Sequence, residues 1–376
     1  MTVQTAGLTK HSKELEDLHR PFHRMDETDL AILNAVRNTG PRNVAGIAKR
    51  LGIAPSTISR RLEHLRGNLG LRIMTNVAYH KLGMKRVVLM FEPSLRDEAD
   101  VLENIRSLSY WYQHYGFLGR PGHLISFKVP AKFLQDYERI LNGLGNVYSI
   151  KWLEVHILSE ILGTGPYLQS YDPEKKEWRI DWLGIKRNFL EAMPFTMSDP
   201  ANYEIVVDQL DIVILFALES DACMTYSEMA KIAGVSIPTI SNRIKRLTKK
   251  GLILGHVVNI LPYPPEDSRF FYLMLNFPGE NQMRKFASGI METPFLLSFQ
   301  KEIARNAILA RLYMPNSQFL NLSELLRDLV LEGLLTEYSI VELDMSNEQL
   351  STISPELFHT DSGWKPSLES AATKLA

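Results

Sequence analysis

Between positions 208 and 219 apolar residues stand at Leu210, Ile212, Val213, Ile214, Leu215, Phe216 and Leu218, a density that predicts a buried helix. Thr225 and Glu228 then supply the capping-box pattern and open a short helix with Met229, Ile232 and Ala233 expected to face inward, before Gly234 ends it. Ser236 can cap the next helix, and Pro238 fits its first turn, where a missing N–H breaks no bond. Ile240, Ile244 and Leu247 recur at helical spacing, so one face of this third helix is core. The other face holds Thr239, Ser241, Asn242, Arg243, Lys245 and Arg246. A turn at Gly251 leads to the β-like run LILGHVVNI, which reads as a wing.

The same pattern occurs earlier in the chain. Residues 26–66 align with 208–248 without a gap, placing Asp26 on Asp208, Asp29 on Asp211, Ile32 on Ile214, Leu33 on Leu215, Ala48 on Ala230 and Gly52 on Gly234. Thr57-Ile58-Ser59 falls on Thr239-Ile240-Ser241. In this copy Ile58, Leu62 and Leu65 are the buried triad, the outer face carries Ser56, Thr57, Ser59, Arg60, Arg61 and His64, and LRIMTNVAYH follows Gly70 as the wing. A repeat of this length is a statement about architecture. Hydroxyls, amides and guanidinium groups on a helix that enters the major groove suit base edges and phosphates, so the pattern predicts two winged helix-turn-helix DNA readers.

The repeat continues past the helices. Strand-like 86–93, a helix over 97–108, strands 111–119 and 123–130, a helix over 131–144 and a strand over 147–158 give β-α-β-β-α-β, the ferredoxin-like order. Residues 269–278, 280–291, 295–303, 307–315, 317–333 and 337–345 repeat it. Even the coda is copied: Pro166, Leu168, Asp172 and Trp178 correspond to Pro355, Leu357, Asp361 and Trp364. The predicted class is α+β, with a flexible segment at 1–25, winged helix-turn-helix units at 26–84 and 208–264, ferredoxin-like domains at 85–162 and 265–346, a packed linker or arm at 163–207, and a tail at 347–376.

Composition narrows the partners. A net charge of −1 over 376 residues argues against a uniformly basic coat, so affinity for phosphate must come from local clusters. Lys49, Arg50, Arg60, Arg61 and Arg66 form one, and Lys231, Arg243, Lys245, Arg246, Lys249 and Lys250 the other, each in the second half of a repeated unit. The single cysteine, Cys223, excludes an intrachain disulfide framework. No run approaches the roughly 18 apolar residues of a membrane span, and a cytoplasmic location without membrane contact is expected.

A helix-turn-helix of this kind followed by an α/β sandwich resembles the Lrp/AsnC, or feast/famine, family of archaeal and bacterial transcription regulators. The resemblance rests chiefly on Asp29-Leu30-Ala31-Ile32-Leu33 with Asp211-Ile212-Val213-Ile214-Leu215, and on residues 56–62 with 238–244. It implies a sequence-specific regulator bound to double-stranded DNA. It also implies sandwiches that pair sheet against sheet, here within the chain as a pseudo-dimer or between chains as a homodimer. A small-molecule effector is expected near the hairpin at Gly119 and Gly122; the second half has Ala304-Arg305-Asn306 there, and turn chemistry is the first reading of the glycines. No cofactor or metal is expected. Two alternatives stand beside this. The helix-turn-helix units could dock the transcription machinery. Siroheme decarboxylases look like the same fold, and Tyr110, Tyr112, His114, Tyr115, His123 and His156 form the one cluster suited to acid–base work.

Overall fold

The computed structural model describes residues 21–197, 206–351 and 353–365. Helix α1 (Glu27–Thr39) starts at a capping box: the Asp29 N–H donates to the Asp26 carboxylate at 2.9 Å and the Asp26 N–H to the Asp29 carboxylate at 3.2 Å. Helix α2 (Val44–Leu51) stops at Gly52, whose φ of 68° is left-handed backbone that a Cβ would strain. Helix α3 (Pro55–Asn68) buries Ile58, Leu62 and Leu65, as its spacing predicts. Strands β1 (Arg72–Val77) and β2 (Met84–Pro93), helix α4 (Glu98–Ser107), strands β3 (Trp111–Phe117) and β4 (His123–Pro130), helix α5 (Leu134–Val147) and strand β5 (Ile150–Leu158) follow. On β2 the strand period of two divides the side chains: Val87, Leu89 and Phe91 pack with Val101, Ile105 and Leu141 of the helices, while Val88 and Met90 face the opposite way.

The expected linker is ordered wherever it is described. It forms β6 (Leu162–Thr164), β7 (Tyr171–Asp172), β8 (Glu177–Trp178) and a helix that the Gly- and aromatic-rich sequence does not announce, α6 (Trp182–Glu191). Asp181 caps α6 by accepting from the Gly184 N–H at 3.0 Å. The second half runs α7 (Gln209–Ser220), α8 (Tyr226–Ala233), α9 (Ile237–Lys249), β9 (Ile253–Asn259), β10 (Ser268–Asn276), α10 (Glu280–Ile290), β11 (Leu296–Lys301), β12 (Ala307–Pro315), α11 (Phe319–Leu331), β13 (Glu337–Leu350), β14 (Phe358–His359) and β15 (Gly363–Trp364). Helix α6 packs on α10: Phe189 stacks on Phe286 with centroids 4.5 Å apart, over Gly289, where a Cβ would stand 2.3 Å from the Phe189 ring. The predicted caps hold, with Thr225 and Glu228 reciprocal and Ser236 accepting from the Thr239 N–H. Ile232 departs from expectation. It is 61% exposed, and Ala230 takes the buried place beside Met229.

Each half gives a four-stranded sheet, and the two join in the order β5-β2-β4-β3-β13-β10-β12-β11-β6. The junction is antiparallel, β3 on β13, with Phe117 opposite Leu343. At the far edge β6 pairs with β11, and Leu158 bridges Glu302. Since β6 continues from β5, the order ends on the segment where it began, and the sheets close on one another. Their inner faces share one core, with Val88, Met90, Tyr115 and Phe117 of the first half against Phe270, Tyr272 and Leu309 of the second. Sheet-against-sheet pairing therefore occurs within the chain.

The halves also exchange segments. Trp178 donates its indole N–H to the Pro262 carbonyl, and Trp364 to the Leu82 carbonyl, both at 2.8 Å, so each coda is fastened to the other half. Residues 1–20 and 366–376, where mobile ends are expected, lie outside the described residues. Phe22 and Met25 are packed, Phe22 against Tyr171 and Trp178. Among the described residues no helix is long and apolar enough to cross a membrane.

Candidate nucleic-acid interface

The wings differ from expectation in a way that fixes the heads. Each run contributes one strand, and the two strands pair with each other: β1 and β9 form an antiparallel ribbon with Met74 opposite Val257 and Thr75 opposite His256. Antiparallel pairing relates the two heads by a local two-fold axis. The ribbon also crosses the cores, since Val258 and Ile260 pack with α1–α3 and Val77 packs with α7–α9. Further ties run directly between heads. Arg66 pairs with Asp221 at 2.7 Å, Arg42 donates to the Met224 carbonyl at 3.1 Å and lies over the Tyr226 ring, and the Ala222 N–H donates to the Ile73 carbonyl at 2.8 Å.

On the outer face of α3, Ser56, Arg60 and His64 are exposed and Thr57 and Ser59 half-buried; on α9, Asn242, Lys245 and Arg246 are exposed and Thr239 and Ser241 half-buried. His64 contacts the Asn68 amide at 2.8 Å. Arg61 and Arg243 behave differently. The Arg61 guanidinium donates to both carboxylate oxygens of Asp26, at 2.8 and 2.9 Å, and to Asp29 at 2.9 Å. Arg243 binds Asp208 and, at 3.1 Å, Asp211, while Arg246 also binds Asp211. Burial would raise the carboxyls of Asp26 and Asp208, but hydrogen bonds from backbone N–H groups and the guanidiniums outweigh it and hold both below their ordinary value. These arginines thus tie the reading helix to the capping box of the first helix of its own head. A signal was present in the sequence: both copies repeat Asp-x-x-Asp and place an arginine 35 positions after the first aspartate, at 26 and 61 and at 208 and 243.

The other candidate residues do not converge on one site. His114 and His123 do meet, at 3.1 Å, in a line running from the Arg106 guanidinium through both rings to the Glu98 carboxylate. Both imidazoles are pushed down to about 4, through burial first; the facing His123 and then Arg106 add to this at His114, and Arg106 at His123. His156 lies elsewhere, between Glu154 and Glu302, and is raised to about 9 because the two carboxylates outweigh its burial. Tyr115 donates to Glu348, and Tyr110 to the Lys365 carbonyl. At the expected effector hairpin Gly119 has φ 76°, and a Cβ on Gly122 would stand 2.1 Å from the Phe117 ring. Both glycines thus answer a turn or packing requirement.

Sequence reasoning named only Tyr112 of a further cluster. Lys128 is buried between the rings of Tyr79 and Tyr112, 4.2 and 4.4 Å from their centroids, and bonded to Glu219 at 2.7 Å. Arg86 lies beside it, paired with Glu160 at 3.1 Å. Burial lowers the Lys128 ammonium despite Glu219, and it raises the Tyr79 hydroxyl, which is also bonded to Glu219.

Comparison with known proteins agrees with the heads. Residues 25–66 match the AsnC-type helix-turn-helix domain, and residues 207–253 match a winged helix-turn-helix DNA-binding domain. The chain is 40% identical over 57 residues to the transcriptional regulator LrpA of Pyrococcus abyssi, covering 15% of this chain and 40% of LrpA. It is 39% identical over 57 residues to the regulator Ptr1 of Methanocaldococcus jannaschii, covering 15% of this chain and 38% of Ptr1. The matches thus span about two fifths of these relatives' length. In fold, the chain is similar to the siroheme decarboxylase NirDL in complex with an iron-uroporphyrin III analogue, with a TM-score of 0.54 and 11% identity over 92% of this chain and 99% of that one. The chain thus carries two helix-turn-helix domains, the first of the AsnC type, and is similar over that region to Lrp-type transcriptional regulators.

Proposed function

We propose that the protein is a sequence-specific DNA-binding transcription regulator that presents two reading heads from one polypeptide, with the ferredoxin-like halves serving to pair them. The observation that carries this reading is the β1–β9 ribbon. It joins two matched helix-turn-helix domains at a set orientation while leaving the polar faces of α3 and α9 outward. Ser56, Thr57, Ser59, Arg60 and His64 contact DNA from the first head, and Thr239, Ser241, Asn242, Lys245 and Arg246 from the second. Arg61 and Arg243 act as positioning residues held by their aspartates. The heads differ at Arg60 and Asn242, which occupy equivalent positions, so the two half-sites need not be identical.

Genomic-fragment binding at two salt concentrations tests this with Arg60→Ala and Lys245→Ala, separately and together. Loss of a phosphate contact reduces the salt slope by about one, and loss of a base contact costs roughly 1–3 kcal/mol at one base pair. One motif with two spaced half-sites, weakened at a single half-site by each substitution, is the expected result. Sequence-blind binding that ignores both substitutions would sink the proposal.

A second reading, an enzyme acting on a tetrapyrrole, is favoured by the likeness to a siroheme decarboxylase across nearly the whole chain. Titration of the protein with iron-uroporphyrin III, followed by its Soret absorbance, decides it: an unshifted band removes the reading.

A further inference from the structure

The two reading helices share a buried face and an arginine tied to an aspartate, and they differ along one outward stripe. On α3 this stripe is Ser56, Arg60 and Glu63; on α9 the repeat equivalents are Pro238, Asn242 and Lys245, and all six are exposed. Arg61 and Arg243 are spent on Asp26 and Asp208, whereas the side chains of Arg60, Glu63, Asn242 and Lys245 enter no hydrogen bond or ion pair among the described residues. The first turns differ as well. Ser236 caps α9 and its Oγ lies 2.8 Å from Thr239 Oγ1, so both hydroxyls are occupied and the outward group is the apolar ring of Pro238. Helix α3 has Ala54 as its N-cap, with no side-chain cap, and presents the Ser56 hydroxyl where α9 has the ring.

We infer that the operator is asymmetric in its bases: the first head reads a guanine through Arg60, and the second reads A·T pairs, an adenine through Asn242 and a thymine methyl through Pro238. This rests on the two-headed DNA-binding reading and names what each head takes. Guanine presents two acceptors in the major groove, O6 and N7, which match the parallel N–H donors of a guanidinium. Adenine presents one acceptor and one donor, N7 and the N6 amino group, which match a carboxamide. Arginine has nothing that accepts from that amino group, so the two side chains are not interchangeable. The thymine methyl is the apolar feature of the groove edge, and Pro238 stands one helical turn before Asn242, so it meets a nearby pair rather than the same adenine. Glu63 agrees with a G·C half-site, since a carboxylate facing DNA is repelled by phosphates but accepts from the cytosine amino group. An operator of this kind has a direction. A symmetric dimer on a palindrome has none, whereas this chain sits on its site in one orientation.

Selection of binding sequences from a random library tests this, with the full chain as wild type, Arg60→Asn, Asn242→Arg and Pro238→Ser. Wild type should select two unlike half-sites, one centred on G·C and one on A·T. Asn242→Arg should move the second towards G·C, and Arg60→Asn should move the first towards A·T. Base analogues in the selected operator repeat the test with no protein atom altered, so misfolding cannot imitate the result. 7-Deazaguanine in the first half-site and 7-deazaadenine in the second should each weaken binding about fivefold or more. Deoxyuridine in place of thymine in the second half-site should weaken it about fourfold, the worth of one buried methyl group, and should have no effect on the Pro238→Ser protein. Two half-sites of the same sequence overturn the inference and leave the two-headed regulator standing, as do preferences that the exchanges do not move or binding indifferent to the analogues. Failure to select any motif removes both.

Discussion

Asp211 is the point at which the second head should be easiest to loosen. Its carboxylate is fully buried and holds three things: the Asp208 N–H at 3.2 Å, Arg243 at 3.1 Å, and Arg246. Replacement by alanine removes two charge-assisted hydrogen bonds, each contributing about 1.5–3 kcal/mol, and half of a capping box whose full loss costs about 1 kcal/mol. The sum must be discounted. Arg246 keeps 41% of its side chain in solvent and Arg243 retains Asp208, so neither guanidinium is left buried and unpaired. The loss therefore falls at the lower end of the range for breaking a buried pair, about 3 kcal/mol. Asp29 in the first head has one arginine where Asp211 has two, so Asp29→Ala should cost less, about 2 kcal/mol. A chain of this many parts need not unfold in one step, so the assay is native-state hydrogen exchange read separately on the two reading helices. Asp211→Ala should speed exchange in α9 roughly hundredfold and leave α3 unchanged, since about 1.4 kcal/mol is a factor of ten. A change below threefold in α9, or an equal change in α3, would refute the view that these aspartates anchor each reading helix within its own head.

Three further outcomes follow from particular contacts. His156 is buried and raised to about 9 against an unfolded value near 6.5, so its ion pairs with Glu154 and Glu302 stabilise the fold fully below pH 6.5 and are lost as pH rises through 9; the difference is about 3 kcal/mol. Thermal unfolding of His156→Gln should be flatter than wild type between pH 6.5 and 9, and parallel curves would contradict the assignment. Trp364→Ala should lower stability by about 3–5 kcal/mol, and Trp364→Phe by about 1–2 through loss of the bond to the Leu82 carbonyl; denaturant melts in which alanine costs less than 1 kcal/mol would show that the coda does not fasten the halves. Ala304 sits at φ 61°, so Ala304→Gly relieves roughly 1–2 kcal/mol of left-handed strain against about 0.5–1 of added unfolded-state entropy; a lowered melting temperature would count against it.

The elements of this fold were legible because they depend on local patterns. Capping pairs, turn glycines and the spacing of Ile240, Ile244 and Leu247 place both three-helix units within a residue or two, and the continuous apolar run along β2 suits a strand buried on both faces. What was not legible is where each buried face goes. Nothing local distinguishes a strand that folds back as a wing hairpin from one that pairs 181 positions away, as Thr75 does with His256. Helix α6 was hidden for a related reason. Its Gly184 and flanking tryptophans read as a loop, and its stability comes from Phe189 stacking on a distant helix. The polar face of α3 was read correctly as polar, but composition cannot tell an arginine free in solvent from Arg61, whose partners lie more than thirty residues upstream.

Placing both units in one chain does more than raise their local concentration. In a symmetric homodimer every interface residue must serve in both copies, because each patch meets its own image. Here that constraint is absent, and the head-to-head contacts use the freedom. Arg66 pairs with Asp221, but the equivalents of these residues in the repeat are Thr248 and Thr39, which cannot form an ion pair. Arg42 reaches the Met224 carbonyl, and the repeat equivalent of Arg42 is Met224 itself. Each contact therefore exists once, on one side of the two-fold axis. The same release from symmetry allows Arg60 and Asn242 to differ on the reading faces, so a change at one head need have no counterpart at the other.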